Sequence, residues 1–368
     1  MENSANINII ALRRLVLISI VLTIFVIGLG AYTRLTHAGL GCPDWPTCYG
    51  LLDVPQTSEQ IAAAEKAFPE RAVEPEKAWN EMIHRYFAGA LGLFIVAIAF
   101  ISIKLRIKHK TSTKTPLLLP LLALAVVIFQ AALGMWTVTL MLMPVIVMGH
   151  LLGGFTTLCL LFLLYLKLNP ELYNKKIEAA ISDKAVTINS NAATQIKKTS
   201  SYQRFAIVGI VILTMQIALG GWTSSNYAAL SCIELPICQG DWQNQLNFKE
   251  AFTLLPPPQK SYEFGHLDHH ERLTIHVVHR LGAIVTSLYL LWLVIATLKK
   301  YPVRQVQISC TVLVLFLVTQ VSLGISNIWF KLPLNVAVAH NLVAALLMLS
   351  LISLAYQLTQ HSRGSCHE

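Results

Sequence analysis

The chain has 368 residues, of which 55% are hydrophobic and only 13% are charged, whereas an ordinary soluble domain has about 25% charged residues. This composition excludes an ordinary water-soluble globular protein, and lipid is the expected solvent. The formal net charge is nonetheless +9 at pH 7. The basic residues must therefore be concentrated in the part of the chain that stays in water, and their location decides between a membrane protein and a nucleic-acid-binding protein.

Eight segments are long and apolar enough to be membrane-spanning helices, which need about 20 residues to cross a hydrocarbon core of about 30 Å. The first follows a charged leader, but it is long for a signal peptide and has no clear cleavage site, so we expect it to be retained. A shorter segment, residues 58–68, also has helical spacing and is a candidate surface helix. The predicted spans are residues 15–34, 80–103, 116–139, 145–167, 205–225, 273–298, 307–329 and 336–358.

The charges are distributed unequally between the two sides of these spans. The side shared by both termini carries 18 basic and five acidic residues, and the opposite side carries ten basic and 14 acidic residues. The positive-inside rule therefore predicts that both termini are cytoplasmic. The basic balance of the chain follows from this topology, so we expect no nucleic-acid partner.

A sequence repeat predicts the arrangement of the spans. Because each half has an even number of spans, the halves enter the membrane from the same side and should be related by an axis along the membrane normal. We predict an all-α integral membrane protein whose eight helices form two repeated four-helix bundles with a pseudo-twofold axis, residues 1–168 and 205–368, joined by a cytoplasmic linker, residues 169–204. A shift of 190 positions aligns Gly30 with Gly220, Thr33 with Thr223, Cys42 with Cys232, Pro46 with Pro236, Cys48 with Cys238, Gly50 with Gly240, Gln130 with Gln320, Gly134 with Gly324 and His150 with His340.

Five histidines fall inside the predicted spans, where ionisable side chains are costly and usually functional. His84 and His279 open the second and sixth spans in the matching sequences EMIHR and HVVHR, and His150 and His340 lie in the fourth and eighth spans. All four lie about five to seven residues from the outer end of their span, or roughly 8–10 Å. Each half therefore has a pair of histidines at one depth. The fifth, His276, precedes His279.

Two imidazoles that face each other across a four-helix bundle can provide both axial ligands of a haem iron. The sequence therefore predicts one haem site in each half. Arg85 and Arg280, each next to a predicted ligand, are placed to pair with the haem propionates. His276 is an alternative to His279 because residues three apart share roughly one helix face, although the register of the repeat favours His279.

Other roles for these histidines are weaker interpretations. A single histidine in a span more often makes an interhelical hydrogen bond, but four at repeat-matched positions argue against that role. Copper and zinc are weaker than haem because two ligands in each half underfill a tetrahedral site.

The cysteines also follow the repeat, because four of the seven form two matched pairs, Cys42 with Cys48 and Cys232 with Cys238. Both pairs lie in predicted outer loops, and a bacterial periplasm is oxidising, so we predict two disulfides. Structural and redox roles are both consistent with this pattern. The sequence contains no Cys-x-x-Cys-His motif for covalent haem attachment.

Together these motifs resemble the haem A synthase family. The first half contributes GAYTRLTHAGLGCPDWPTCYG, EMIHR, QAALGMWTV and the span of His150, and the second half contributes GGWTSS, the second cysteine pair, HVVHRLGA, QVSLGISN and AVAHN. The resemblance covers nearly the whole chain apart from residues 169–204, and the GLGCPDWPTC segment is highly specific.

The resemblance implies a membrane oxidoreductase that converts haem O to haem A for cytochrome oxidase. One porphyrin methyl group is oxidised to a formyl group by two successive hydroxylations, the second of which gives a hydrate that loses water. The resemblance further implies that His84 and His150 bind the iron of the substrate haem. It implies that His279 and His340 bind the iron of a resident haem b, which passes electrons.

Glu81 is the predicted catalytic residue. It lies one turn before His84, and the repeat places His276 at its position in the second half. A partly desolvated carboxylate there can transfer a proton or stabilise a cationic intermediate. Its alternative role is a salt bridge to Arg85, four residues on. The resemblance also links the first cysteine pair to activity, whereas the second pair looks structural.

The expected partners are the substrate haem O, membrane lipid, a haem O synthase and a membrane electron donor, and a homo-oligomer is also compatible with the sequence. The expected location is the bacterial cytoplasmic (inner) membrane. The alternative function is that of a dihaem b-type electron-transfer protein, or of a haem carrier, without haem-modifying activity. The difference between Glu81 and His276 and the GLGCPDWPTC loop favour the enzyme, because simple electron transfer requires neither.

Overall fold

The computed structural model describes residues 2–108, 116–169, 192–236, 238, 240–301 and 303–364. Within these residues the regular structure is helical, with one isolated bridge between Cys48 and Leu51. Eight of the helices are long and apolar enough to cross a membrane, which confirms the predicted spans. The helices are α1 (Glu2–Leu35), α2 (Ser58–Ala67), α3 (Pro75–Lys108), α4 (Leu118–Thr139), α5 (Pro144–Leu168), α6 (Ala192–Ser225), α7 (Phe248–Ala251), α8 (His269–Lys300), α9 (Arg304–Trp329) and α10 (Leu334–Gly364).

The membrane helices extend beyond the apolar segments that predicted them, because polar residues at their ends continue the same backbone hydrogen-bond pattern. α3 begins at Pro75 and α8 at His269, each several residues before the predicted span. His84 and His279 consequently lie about two and a half turns or more inside regular helix, at 3.6 residues per turn. Their side chains are therefore positioned by packed helices and not by the loops.

The predicted linker, residues 169–204, lies partly outside the described residues, which omit 170–191. From Ala192 onward the chain is helical and continues without interruption into α6, so the last part of the predicted linker is a helical extension of α6. Residues 192–204 contain neither Gly nor Pro. Extending an existing helix fixes one residue for each hydrogen bond gained, whereas starting one is costly, so α6 begins well before its apolar segment.

The repeat is visible in the backbone as well as in the sequence. His37 after α1 and Tyr227 after α6 are 190 positions apart and have positive φ angles of 53° and 55°. The next residue in each case donates its N–H to a threonine carbonyl at 2.9 Å, Ala38 to Thr33 and Ala228 to Thr223. A left-handed residue closed by such a bond is a common way to end a helix.

The turns before α5 and α10 repeat in the same way. Met141 and Leu142 have φ angles of 52° and 63°, and Lys331 and Leu332 have φ angles of 55° and 63°. Leu142 donates its N–H to the Thr137 carbonyl at 2.8 Å, and Leu332 makes the equivalent bond at 2.7 Å. Both turns reverse the chain so tightly that consecutive helices become neighbours.

The helices of each half pack in a closed ring. In the first half α1 contacts α3 and α5, and α4 contacts the same two helices; in the second half α6 contacts α8 and α10, and α9 contacts those two. The halves meet where α1 packs on α10 and where α5 packs on α6 and α10. The first and last helices of each half therefore form the interface, and each ring encloses its own interior.

The largest apolar cluster spans both halves and includes fully buried residues such as Leu12, Leu161, Leu293 and Leu354. Lipid is as apolar as leucine, so van der Waals packing, more than the hydrophobic effect, holds these helices together. The histidines lie toward the other end of the helices, which carries the loops of residues 36–74 and 226–268. We call this end the disulfide end, because both cysteine pairs lie in those loops.

Contacts between the halves at the disulfide end include polar and aromatic ones. The rings of His37 and Tyr227 stack with their centres 5.7 Å apart and their planes 7° from parallel. The Arg34 guanidinium lies 4.0 Å above the Tyr227 ring and donates to the Ser224 carbonyl at 2.6 Å. Arg71 in the first half forms an ion pair with Glu263 in the second at 3.1 Å.

Candidate functional site

The first half brings two of the predicted ligands together inside its ring of helices. The ring centres of His84 on α3 and His150 on α5 are 6.4 Å apart, and the ring planes are nearly perpendicular, at 81°. A metal ion typically lies about 2 Å from an imidazole nitrogen that binds it, so two imidazoles on opposite sides of one metal ion would have ring centres about 6.3 Å apart. The observed separation fits a metal ion held between the two rings.

The second half positions its histidines in the same way. His279 lies on α8 and His340 on α10, the helices that are equivalent to α3 and α5. The Gln216 amide donates to the His279 carbonyl at 3.0 Å and lies 3.1 Å from His279 Nδ1. The Gln320 amide nitrogen lies 3.2 Å from His340 Nε2. Each ring therefore has a glutamine from a neighbouring helix beside it.

The imidazole rings of all four predicted ligands also pack against a glycine. A Cβ atom added to a glycine crowds its neighbour when the contact is below 3.4 Å, because the neighbour must then move. At three of the four positions the added Cβ would fall inside that limit, so the glycines leave the space that the rings occupy. The distances from the added Cβ to ring Cε1 are 3.0 Å for Gly30 and His84, 3.5 Å for Gly134 and His150, 3.2 Å for Gly220 and His279, and 3.2 Å for Gly324 and His340.

These features fit a haem in each half better than a small metal ion held by many side chains. In the described part of the chain no group of three or more His, Cys, Asp or Glu side chains could hold a metal. Two opposed imidazoles are the complete protein ligand set of a bis-histidine haem, because the porphyrin supplies the other four nitrogens.

Glu81 lies one turn before His84 on α3 and is 5% exposed. Its Oε1 accepts a hydrogen bond from Arg85 Nη2 at 2.5 Å, and its Oε2 accepts one from the Cys42 backbone N–H at 2.9 Å. Arg85 also donates to the Thr47 carbonyl at 2.7 Å. The carboxylate therefore connects the helix that carries a predicted ligand to the first disulfide loop, and the salt bridge expected as its alternative role is present.

His276 occupies the equivalent position in the second half and makes the equivalent contact. Its Nδ1 accepts the Cys232 backbone N–H at 3.2 Å, and the residue is 4% exposed. Arg280 donates to the Cys232 carbonyl at 2.8 Å and to the Glu234 carbonyl at 3.0 Å. The structure thus turns His276 toward the disulfide loop, whereas His279 packs against Gly220.

Arg85 and Arg280, predicted to pair with propionates, both hold the disulfide loops through backbone carbonyls. This role was not foreseen, because the sequence does not show that a loop residue 38 or 48 positions away lies beside each arginine. A propionate contact for either side chain stays a prediction.

Both predicted disulfides are formed, Cys42 with Cys48 and Cys232 with Cys238. The first loop is also held by Asp44, which accepts hydrogen bonds from the Thr47 hydroxyl and from the backbone N–H groups of Tyr49 and Gly50. Burial raises the pKa of the Tyr49 hydroxyl above its usual value of 10.0. The first loop is therefore a compact unit with a buried aromatic ring.

The predicted helix at 58–68 is confirmed as α2, which packs on this loop. Ala64 of α2 is buried in a cluster with Cys42, Cys48 and Tyr49, and the ring of Phe68 lies edge-on to Tyr49 at 5.6 Å. A capping box between Thr57 and Gln60 begins the helix. α2 is thus part of the structure that surrounds the first disulfide.

The contacts that support the ligands were not predicted from the sequence. The four glycines were recognised as markers of the repeat, but their contact with the histidine rings was not. A further pattern was available: Gln130, Gln216 and Gln320 each precede one of those glycines by four residues, and Val26 stands at the fourth such position. Residues four apart lie on one helix face. The pattern therefore indicates that the glutamine and the glycine contact the same side chain on a neighbouring helix.

The chain is similar to known proteins over nearly its whole length. Residues 13–352 match a family model, COX15-CtaA, described as cytochrome oxidase assembly protein. The chain is 47% identical to a haem A synthase of Shewanella oneidensis, over 95% of this chain and 97% of that protein. Haem A synthases of Chelativorans and Shouchella clausii are 27% and 26% identical and cover 91% and 95% of this chain. These similarities extend through both halves.

Proposed function

The chain belongs to the COX15-CtaA family of cytochrome oxidase assembly proteins, and on that premise we propose that it is a haem A synthase, a membrane oxidoreductase that converts haem O to haem A. The observation that carries the proposal is the 47% identity to a haem A synthase over nearly the full length of both chains. The site supports it, because His84 and His150 lie 6.4 Å apart beside a buried carboxylate.

We assign the first half to the substrate and the second half to a resident cofactor. His84 and His150 hold haem O, which is oxidised at one methyl group, and His279 and His340 hold haem b. When bound, haem b supplies electron transfer, because an iron with two histidine ligands has no free position for oxygen. His276 is not a ligand in this assignment, since its Nδ1 accepts the Cys232 N–H.

The arrangement of the helices supports two repeated bundles. Each half forms a closed ring, and the halves share tight turns and helix ends at positions 190 residues apart. We propose that a pseudo-twofold axis along the membrane normal relates the bundles, residues 1–168 and 205–368. The stacked rings of His37 and Tyr227, which are equivalent in the repeat, would lie on that axis.

We propose that Glu81 is the catalytic carboxylate. Its position one turn from His84 places it beside the substrate, and the pairing with Arg85 holds Oε1 in a fixed direction. From there the carboxylate can accept a proton or stabilise positive charge as the methyl group is oxidised. The second half, where no oxidation is proposed, has a histidine at this position.

The charge distribution supports a cytoplasmic location for both termini and a periplasmic location for the disulfide end, in the bacterial cytoplasmic membrane. Membrane lipid then surrounds the helices. A haem O synthase that supplies substrate, a membrane electron donor and a second copy of the chain are the proposed partners.

The test is co-expression with a haem O synthase, followed by identification of the extracted pigments. The wild-type chain should produce haem A, and the His84→Ala and Glu81→Ala variants should reduce it at least a hundredfold, since general acid–base catalysis alone contributes about 10²–10⁴-fold. Glu76→Ala is the matched control, because Glu76 is an exposed carboxylate on the same helix, and it should leave haem A production unchanged.

Unchanged haem A in both site variants would overturn the assignment of the site. A wild-type chain that purifies with two equally permanent haems and yields no haem A would instead support the dihaem electron-transfer protein. A chain that binds haem O reversibly without converting it would support a haem carrier.

A further inference from the structure

Arg85 and Arg280 are equivalent residues that make equivalent contacts. Each follows a predicted iron ligand directly, and each donates to a backbone carbonyl of its disulfide loop, Arg85 to Thr47 at 2.7 Å and Arg280 to Cys232 at 2.8 Å. The two arginines are therefore held at matching places beside the two haem sites. A difference between the sites must come from their neighbours.

The residue four positions before each arginine provides that difference. Glu81 and His276 accept the same backbone N–H, that of the first cysteine of each pair, at 2.9 Å and 3.2 Å. A ring nitrogen that accepts an N–H carries no proton of its own, so His276 does this as a neutral ring. The loop contact is thus preserved in the second half while the negative charge is removed.

The charge balance at the two arginines differs as a result. Arg85 is neutralised by Glu81 at 2.5 Å, with both side chains nearly buried, at 12% and 6% exposed. Among the described residues Arg280 takes part in no ion pair within 4.0 Å, and its Nε is buried without a hydrogen-bond partner. The loop acids Asp44 and Glu234 are equivalent in the repeat. Asp44 is bonded within its own loop, whereas Glu234 attracts Arg280 from beyond ion-pair distance, so the nearest acid to Arg280 is more distant than the one that contacts Arg85.

A porphyrin with two propionate groups is sensitive to such a difference. An arginine with a free donor can bind a carboxylate with strong, charge-assisted hydrogen bonds. An arginine that is already paired with a carboxylate has fewer free N–H donors and no net charge to offer. The paired carboxylate also repels the incoming propionate in a medium of low dielectric constant. The second site is therefore better suited to retain a haem permanently, whereas the first site is better suited to release one.

We propose that the residue four positions before each arginine determines how long each half keeps its porphyrin. Glu81 occupies Arg85 and allows the first half to release its product, whereas the neutral His276 leaves Arg280 available to retain the haem of the second half. This inference rests on the proposed function, because it explains why one site holds a substrate and the other a resident cofactor. His276 acts through Arg280 and is a positioning residue.

The direct test measures how fast haem b leaves the second site. Purified holoprotein is mixed with excess apomyoglobin, and the transfer of haem is followed by absorbance. His276→Glu, which reproduces the first half, should speed the loss roughly tenfold, a change that corresponds to about 1.4 kcal/mol. His276→Gln is the matched control, because glutamine accepts the Cys232 N–H without a charge, and it should stay within about twofold of the wild type.

Two results would overturn the proposal: an unchanged rate in His276→Glu, or equal acceleration in His276→Glu and His276→Gln, which would mean that any change at this position disturbs the fold. The absorption spectrum of the reduced haem serves as a check, since intact histidine ligation should leave it unaltered in both variants.

The reverse substitution provides an independent measurement. Glu81→Gln frees Arg85, so the first half should keep a porphyrin through purification, and the ratio of haem to protein should rise from about one toward two. A ratio that does not rise would contradict the proposal. Because Glu81 is also the proposed catalytic residue, the wild type and Glu81→Gln are both produced in a host without a haem O synthase, where neither turns over substrate. Failure of the proposed function and failure of this inference can then be told apart.

Discussion

At the scale of single residues, the contact between each histidine ring and a glycine explains how the ligands are positioned. A histidine on a helix can adopt several rotamers, and the ring reaches its place only where the neighbouring helix offers space. The added-Cβ distances of 3.0–3.5 Å show that this space is nearly filled. The glycines are therefore as much a part of each site as the ligands.

This packing predicts that Gly220→Val displaces the His279 ring. The added methyl groups would overlap the ring, and overpacking of this kind costs about 1–3 kcal/mol. We expect at least half of the haem b to be lost from the purified protein, measured by pigment extraction. Gly92→Val is the control, because a Cβ at Gly92 would meet nothing within 4 Å; full haem content in Gly220→Val would contradict the role of the glycine.

His276 and His279 were alternative predictions for one iron ligand of the second half. The sequence favoured His279 by register but left both on roughly one helix face. The structure separates them, because His276 accepts a loop N–H and His279 faces Gly220. Three residues correspond to a net angular separation of about 60° and a rise of about 4.5 Å, which is enough to direct one side chain to the loop and the other into the bundle.

At the scale of elements, the membrane helices were predictable and the loops were only partly so. Length and hydropathy defined all eight spans, because lipid requires long, apolar, self-bonded helices. The helical spacing of residues 58–68 correctly predicted α2. Its packing on the first disulfide loop was not predictable, since a short amphipathic helix can bury its apolar face against membrane or protein alike.

The helix end at His37 predicts a pH dependence of stability. Burial and the nearby Arg34 hold the pKa of His37 below its ordinary value of 6.5; Lys77 acts in the same direction, and Glu263 opposes them. The unfolded chain therefore binds a proton more readily than the folded protein. The stability linked to this residue is present above pH 6.5 and is lost as the pH falls through and below that value.

The measurement is the thermal unfolding midpoint of the purified protein at pH 7.5 and pH 5.5. His37→Asn should reduce the decline between these two conditions, because asparagine does not titrate there and tolerates the positive φ angle of 53°. An identical decline in the variant and the wild type would show that other groups cause it.

At the scale of the whole molecule, the repeat places equivalent elements on both sides of the interface between the halves. The ring of four helices recurs, the tight turns recur, and the residues that end α1 and α6 stack on each other. Among the described ion pairs, the one that crosses the interface has no repeat-related counterpart. The Arg71–Glu263 ion pair joins loops that differ in length and sequence between the halves.

This ion pair predicts a measurable coupling between the halves. Glu263 is 10% exposed and accepts hydrogen bonds from both terminal nitrogens of Arg71, at 3.1 Å and 3.2 Å. Screening of this ion pair by water is therefore limited. A double-mutant cycle with Arg71→Ala and Glu263→Ala, followed by thermal or denaturant unfolding, should give a coupling energy of about 1 kcal/mol.

The control cycle uses Lys77 and Glu74, whose side chains are 32% and 59% exposed and lie within one segment. That pair should give about 0.3 kcal/mol, the value typical of neighbouring charges on a helix surface. Equal coupling in the two cycles would show that the contact between the halves contributes nothing beyond an ordinary surface pair.

The sequence by itself determined the number of spans, the cysteine pairing and the four histidines at equivalent positions. These follow from the length and hydrophobicity of the apolar segments and from the internal repeat, which are properties of the sequence alone. Only the tertiary structure decided that the ring centres of His84 and His150 lie 6.4 Å apart and that Glu81 and His276 hold equivalent disulfide loops. It also decided that Arg85 forms an ion pair, whereas Arg280 forms none with the residues that the structure describes. Apart from the pairing of Arg85 with Glu81, each of these contacts is between residues that are distant in the sequence, and its geometry depends on how the helices and loops pack together.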